Sequence, residues 1–292
     1  MKIELTGGGA GLKLDAPPYD TEGLTMCILG NKGSGKSYLL AVMAEEMHRN
    51  QIPFVFFDPN GDAISLAELG DDVVTIGNPN HDEAIRRADY PLSVALREKR
   101  DFVKMCLKDG YSLVFDLNDS GQDDYVPLQV FTAIIDEHYR QSGRLRTPCG
   151  IIVEEAHVFA PQSGANKYER QSRRALGRVA SDGRKRGEIL VTATQRVTYL
   201  DKRIVFGANV RVFGKITYWP DYKVIREYAP YSFNQLREFK SGEVAVVANG
   251  NFGKIQVKQR RTTDLGRTPA FKPRAQRARP SKAEQLQLFV AR

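Results

Sequence analysis

The sequence predicts an α/β protein with a mostly parallel central sheet, preceded by a short N-terminal strand hairpin and followed by a disordered basic C-terminal tail. Three observations carry this. Strand-like and helix-like segments alternate from residue 24 to residue 260. Several strand candidates are continuous apolar runs, such as Val55-Phe56-Phe57 and Ile151-Ile152-Val153, as expected when helices cover both faces of a parallel sheet. A glycine-rich turn over residues 30–37 joins one such strand directly to a helix, which is how an open α/β sheet connects its layers.

Residues 2–5 and 12–14 read as strands joined by Thr6-Gly7-Gly8-Gly9-Ala10-Gly11, a hairpin lying on the main domain. Strands are expected at 24–29, 54–58, 73–76, 112–117, 150–154, 189–193 and 209–215. Helices are expected at 36–49, 95–108, 126–141, 166–182 and 221–228. Two last strands, 243–248 and 254–259, are linked by Asn249-Gly250-Asn251, a hairpin signal because Asn-Gly tolerates the positive φ angles of a tight turn. From Thr262 the periodicity stops, and Pro269, Pro273 and Pro280 stand among Arg, Lys, Gln and Ala, which predicts disorder up to Lys282. The chain therefore divides into a hairpin segment (1–20), a body (21–261) and a tail (262–292).

The 292 residues are 41% hydrophobic and 27% charged, ordinary for a soluble globular chain. The net charge of +8 is uneven: residues 254–292 hold 11 Lys/Arg against Asp264 and Glu284, while residues 1–253 hold 32 against 33 acids. A cationic tail suits a polyanion such as nucleic acid, the plain alternative being a solubilising extension. Cys27, Cys106 and Cys149 form no CxxC pair, and His48, His81, His138 and His157 are scattered. Neither a disulfide framework nor a zinc site is expected, and a reducing cytoplasm is the expected home. The N-terminus MKIELTGGGAG lacks an apolar signal core, and no apolar run approaches the roughly 18 residues of a membrane span; no membrane partner is expected.

Gly30-Asn31-Lys32-Gly33-Ser34-Gly35-Lys36-Ser37 matches GxxxxGK[ST] in full and lies between a strand and a helix, with Tyr38 next on that helix. Such a phosphate-binding loop, or P-loop, curls backbone N–H groups around a β-phosphate, and the helix N-terminus adds partial positive charge. Lys36 is expected on the β/γ oxygens of ATP and the Ser37 hydroxyl on Mg²⁺. The site also needs an acid on a neighbouring strand. Ile151-Ile152-Val153-Glu154-Glu155 supplies two: Glu154 for the magnesium shell and Glu155 to orient and polarise the attacking water.

The segment Glu154-Glu155-Ala156-His157-Val158-Phe159-Ala160-Pro161 resembles the EEAH version of Walker B in the HerA branch of the HerA/FtsK motor ATPases. Asp58-Pro59-Asn60-Gly61-Asp62, Gly183-Arg184-Lys185-Arg186-Gly187 and Thr192-Ala193-Thr194-Gln195-Arg196 resemble three further elements of that family, in the same order. The resemblance spans residues 24–260. It implies a RecA-like P-loop NTPase core, a homo-oligomer in the form of a hexameric ring, and duplex DNA as the threaded partner. It also implies that Gln195 senses the γ-phosphate and that Arg184 faces it. Arg174, Arg178 and Arg186 compete with Arg184 as the finger that crosses to a neighbouring subunit. HerA proteins usually carry an N-terminal β-barrel where residues 1–20 stand here, which is closer to viral DNA-packaging ATPases of the same superfamily. Alternatives to a DNA translocase are therefore a packaging motor, or a nucleotide-switched adaptor for a nuclease partner.

Lys167, Arg170, Arg174 and Arg178 share one helix face, with Arg173 beside them. The stripe suits DNA phosphates, a subunit interface or plain solvent, and its spacing does not choose among them. The loops 118–124 and 160–166 are pore-loop candidates, although neither is basic. Near the C-terminus, Gln285-Leu286-Gln287-Leu288-Phe289 resembles the QLxLF peptide that docks bacterial proteins into the β sliding clamp. Leu286, Leu288 and Phe289 would be its apolar anchors and Gln285 its orienting hydrogen bonder.

Overall fold

Ten strands form one sheet in the order β12-β11-β10-β3-β9-β8-β4-β7-β5-β6. The computed structural model describes residues 2–6, 13–15, 23–77, 88–118, 125–145, 147–248 and 250–265. The eight strands from β10 to β6 run parallel: β3 (Thr25–Leu29), β4 (Phe54–Asp58), β5 (Val73–Gly77), β6 (Tyr90–Pro91), β7 (Ser112–Asp116), β8 (Cys149–Val153), β9 (Glu188–Thr194) and β10 (Val210–Phe213). The hairpin β11 (Glu243–Ala248) and β12 (Asn251–Gln256) extends one edge antiparallel. This is the mixed α/β sheet expected from the apolar runs.

Strand alternation puts successive side chains on opposite faces, so the sheet separates two cores. Cys27, Leu29, Val55, Phe57, Phe115, Ile151 and Val153 face one side. There they meet Phe131 and Ile134 of α4 (Val126–Leu145) and Leu176 of α6 (Lys167–Asp182). Phe57 stacks on Phe115 at 5.1 Å and meets the Phe131 ring edge-on at 4.7 Å. Met26, Ile28, Phe54, Phe56 and Ile152 face the other side, under α1 (Lys36–Arg49). Each large ring buried this way is worth about 1.5–3 kcal/mol by area alone.

The hairpin β1 (Lys2–Glu4) and β2 (Lys13–Asp15) forms as the sequence suggests, apart from the main sheet. Leu5, fully buried in the α1-side core, anchors it, and the Leu5 carbonyl accepts from Lys258 N at 2.8 Å. The expected helix 95–108 is instead two, α2 (Leu92–Arg97) and α3 (Lys99–Asp109), broken at Glu98. The final strand begins at Asn251, not Lys254, because Gly250 takes φ 76° and closes the turn in two residues. Phe252 thereby lies on an exposed edge strand. Short α-helices α5 (Ala156–Phe159), α7 (Lys202–Gly207), α8 (Trp219–Ile225) and α9 (Phe233–Arg237) lie between and after these, with 3-10 turns at Asp62–Leu69, Gly183–Arg186 and Val197–Tyr199. Helix α9 is fixed by a capping box between Ser232 and Gln235 that the sequence reading missed.

The packed chain continues past Arg261. Residues 257–264 run back along α1 as a strap: Glu45 accepts from Arg261 N and from Thr262 N and Oγ1, and Arg260 donates to Ser65 and Thr262. No helix among the described residues is long and apolar enough to cross a membrane. Most of the candidate loop 118–124 and the clamp-type peptide at Gln285, Leu286, Leu288 and Phe289 lie outside the described residues.

Candidate nucleotide site

The P-loop stands at the C-terminal end of β3, between β9 and β10. Gly33 and Gly35 take φ of 77° and 91°, a region open to glycine at little cost, so the loop can turn its N–H groups inward. Asn31 pins the loop to its neighbour: its N–H donates to Lys215 O at 2.8 Å, and its side-chain oxygen accepts from Thr217 N at 2.5 Å. Ser34 is buried, with Gly30 and Gly214 packed against it. Lys36 donates from Nζ to Asn31 O at 3.1 Å. Burial pushes its pKa down, while the charges of Glu155 and Glu154 partly restore it.

The two acids at the end of β8 sit in different surroundings. Glu154 is 2% exposed and accepts from the Ser37 hydroxyl. Beside it lies Asp58 at the end of β4, fully buried and accepting from Asn60 N and Ala63 N at 2.7 Å. Burial raises the pKa of both, and for Glu154 the Asp58 charge raises it further. Two buried carboxyl groups side by side share a proton unless a cation relieves them. That, with the Ser37 hydroxyl, is an oxygen donor set suited to Mg²⁺, which needs few protein ligands when phosphates and water complete its shell. Asp58 was legible only as part of a family-like element; its place beside Glu154 depends on the β4–β8 pairing.

Glu155 adopts φ 45°, ψ 50°, a left-handed conformation costing about 1–3 kcal/mol in a residue with a Cβ. Its carboxylate accepts from Gln195 N at 3.2 Å and lies 3.2 Å from His157 Nδ1. Burial pushes its pKa up, but His157, Lys36 and the Gln195 N–H outweigh this and hold it below the usual carboxylate range. Glu155 is thus favoured in its ionised form beside two carboxyl groups pushed the other way, the arrangement a general base needs. His157, bonded also to Thr194 Oγ1 at 2.9 Å, ties Glu155 to the end of β9, a contact the sequence did not reveal.

A cavity of about 950 Å³ gathers Lys32, Gly33, Gly35, Lys36, Ser37 and Tyr38 with Glu154, Glu155 and Gln195. Arg184 is not among them. It sits against Gly23, before the first residue of β3, where a Cβ on Gly23 would stand 3.0 Å from Arg184 Cα. At about 3.3 Å per strand residue, that places it roughly 20 Å from the P-loop of its own chain. Arg178 pairs with Asp136, and Arg186 stacks 3.6 Å over the Tyr139 ring. Arg170, Arg173, Arg174 and Arg178 of α6 join Arg203 around a separate cavity of about 310 Å³.

The model of the family described as Helicase HerA, central domain, matches residues 24–186. The chain belongs to this family. It is 32% identical over 106 residues to the DNA double-strand break repair helicase HerA of Pyrococcus furiosus, covering 36% of this chain and 18% of that protein. To the probable HerA helicase of Methanocaldococcus jannaschii it is 31% identical over 120 residues, 41% of this chain and 21% of that one. The matched segment therefore spans about a fifth of these curated relatives. Among solved structures, the bacterial conjugative coupling protein TrwB gives a TM-score of 0.62 at 13% identity, over 92% of each chain. The genome packaging NTPase B204 of Sulfolobus turreted icosahedral virus 2 gives 0.53 at 15% identity, over 80% of this chain and 97% of that one. The HerA-family core thus shares its fold with both.

Proposed function

We propose that this HerA-family chain is an ATPase whose Mg²⁺-dependent hydrolysis drives movement on duplex DNA as a hexameric ring. The observation that supports it best is the division of labour at the end of β8, with Glu154 on the Ser37 hydroxyl and ionised Glu155 facing the Lys36 cavity. Bound Mg²⁺ would supply charge neutralisation on the phosphates, held by Ser37 and Glu154; TrwB has been solved with ADP and Mg²⁺. Residues 30–38 bind the triphosphate, Lys36 neutralises its β/γ oxygens, and Glu155 takes a proton from the water that attacks the γ-phosphorus. Gln195, tied through its N–H to Glu155, reports γ-phosphate occupancy to β9. No arginine lines the cavity among the described residues, so the finger would come from a neighbouring protomer; of the four candidates only Arg178 is held in an ion pair, with Asp136.

Turnover with and without linear duplex DNA tests the reading, together with particle imaging for rings. Stimulation by DNA is expected, and Glu155→Gln should lower kcat by about 10²–10⁴ with nucleotide still bound. A rate indifferent to DNA sinks the motor; it would leave the nucleotide-switched adaptor for a nuclease. The B204 likeness supports a second reading, genome packaging, which predicts association with a procapsid. Capture by sliding clamp, lost in Leu288→Ala with Phe289→Ala, would instead place the motor at replication or repair.

A further inference from the structure

The nucleotide cavity has a second wall that no sequence motif announces. Beside the P-loop, on the side away from β9 and β8, stand the turn at Ser241-Gly242, then Gln256 and Gln259 from the end of β12 and the strap. The wall is joined to the P-loop itself: Gly242 N donates to Ser34 O at 3.2 Å, and Val257 N donates to Gly242 O at 2.9 Å. Gly242 has φ 78°, and a Cβ there would stand 2.5 Å from Gln256 Nε2, so only glycine lets this carboxamide lie against the turn. Farther out the strap closes over Tyr38, whose hydroxyl accepts from Arg260 N at 2.7 Å.

The reactive end of the cavity is fixed by Glu155 and Gln195, so the rest of a nucleotide must extend away from them, toward this wall. The wall's chemistry then limits the base. Among the described residues the cations lining the cavity are Lys32 and Lys36, both in the P-loop, and Arg260 is turned away toward Ser65 and Thr262. On the N7 edge of a purine a carboxamide pairs in two bonds with N6 and N7 of adenine, whereas the paired acceptors O6 and N7 of guanine call for Arg or Lys. We propose that Gln256 and Gln259 form the base subsite and select adenine over 6-oxopurines. This rests on the nucleotide reading above and names the residues that set its specificity.

The test is competition against a fluorescent ATP analogue on the full chain with Mg²⁺, using ATP, GTP, inosine triphosphate and tripolyphosphate. ATP is expected to bind about tenfold or more tighter than GTP or inosine triphosphate, the discrimination of one bidentate pair. Gln256→Ala with Gln259→Ala should bring the three within about twofold by weakening ATP alone, with tripolyphosphate unchanged. Both side chains are exposed, so the fold should tolerate the change. Equal binding of the three by the unaltered protein, or a preference that survives the double substitution, overturns the base subsite. Failure of the fluorescent analogue and of ATP to bind at all overturns the nucleotide reading itself, a distinct result.

Discussion

Asp201 organises the arginine cavity, and replacing it with Asn should destabilise the protein in a pH-dependent way. The carboxylate is 3% exposed and caps α7 by accepting from Arg203 N at 3.0 Å. It also accepts from Arg173 Nε at 2.7 Å and Arg203 Nη2 at 2.6 Å. Burial raises its pKa, but the bonds from Arg203 and Arg173 overcome this and bring it from 3.8 to about 2. At 1.36 kcal/mol per unit, the ionised form contributes about 2 kcal/mol to folding before screening. Arg203 is 62% exposed, so solvent screening reduces the expected loss in Asp201→Asn to about 1–2 kcal/mol at pH 7. Because the folded pKa lies below the unfolded one, this stability is complete above pH 3.8 and disappears as pH falls through about 2. Denaturant unfolding of both proteins from pH 7 downward measures it. A difference that stays constant down to pH 2, or is absent at pH 7, refutes the reasoning.

Phe131→Ala, at the centre of the aromatic cluster with Phe57 and Phe159, should cost about 3–5 kcal/mol in the same unfolding assay. Arg260→Ala removes the strap's bonds to Ser65 and Thr262; a loss of about 1–3 kcal/mol and faster tryptic cleavage after Arg261 are expected. Gly35→Ala places a Cβ at φ 91° and 3.1 Å from Gly242 N, so calorimetry should show ATP binding at least about tenfold weaker. Turnover should keep its acid limb below pH 4.5, because Glu155 is held ionised against its burial by His157, Lys36 and Gln195. His157→Ala should move that limb upward, as seen in a pH–rate profile.

The P-loop, the paired acids and the parallel sheet were legible in the sequence because each is a local signal. Gly33 and Gly35 supply positive φ within one turn, Ile151–Val153 is apolar because both faces are covered, and Glu154 and Glu155 end the same strand. Asp58 shows where this stopped. The sequence placed it after the right strand, but only the β4–β8 pairing sets it beside Glu154. The arginines show the same limit: Arg184 belongs to a recognisable segment, yet the sheet holds it at the end away from its own P-loop.

What the sequence determined by itself is the P-loop end of the cavity, since that turn is built from consecutive backbone groups whose conformations follow from residue type. The tertiary structure alone decided the second wall. Gly242, Gln256 and Gln259 reach the P-loop across more than two hundred residues of chain, through a hairpin at the sheet edge and a strap along α1. Contacts between segments so far apart leave no periodicity in either one, so they exist only once the chain has folded.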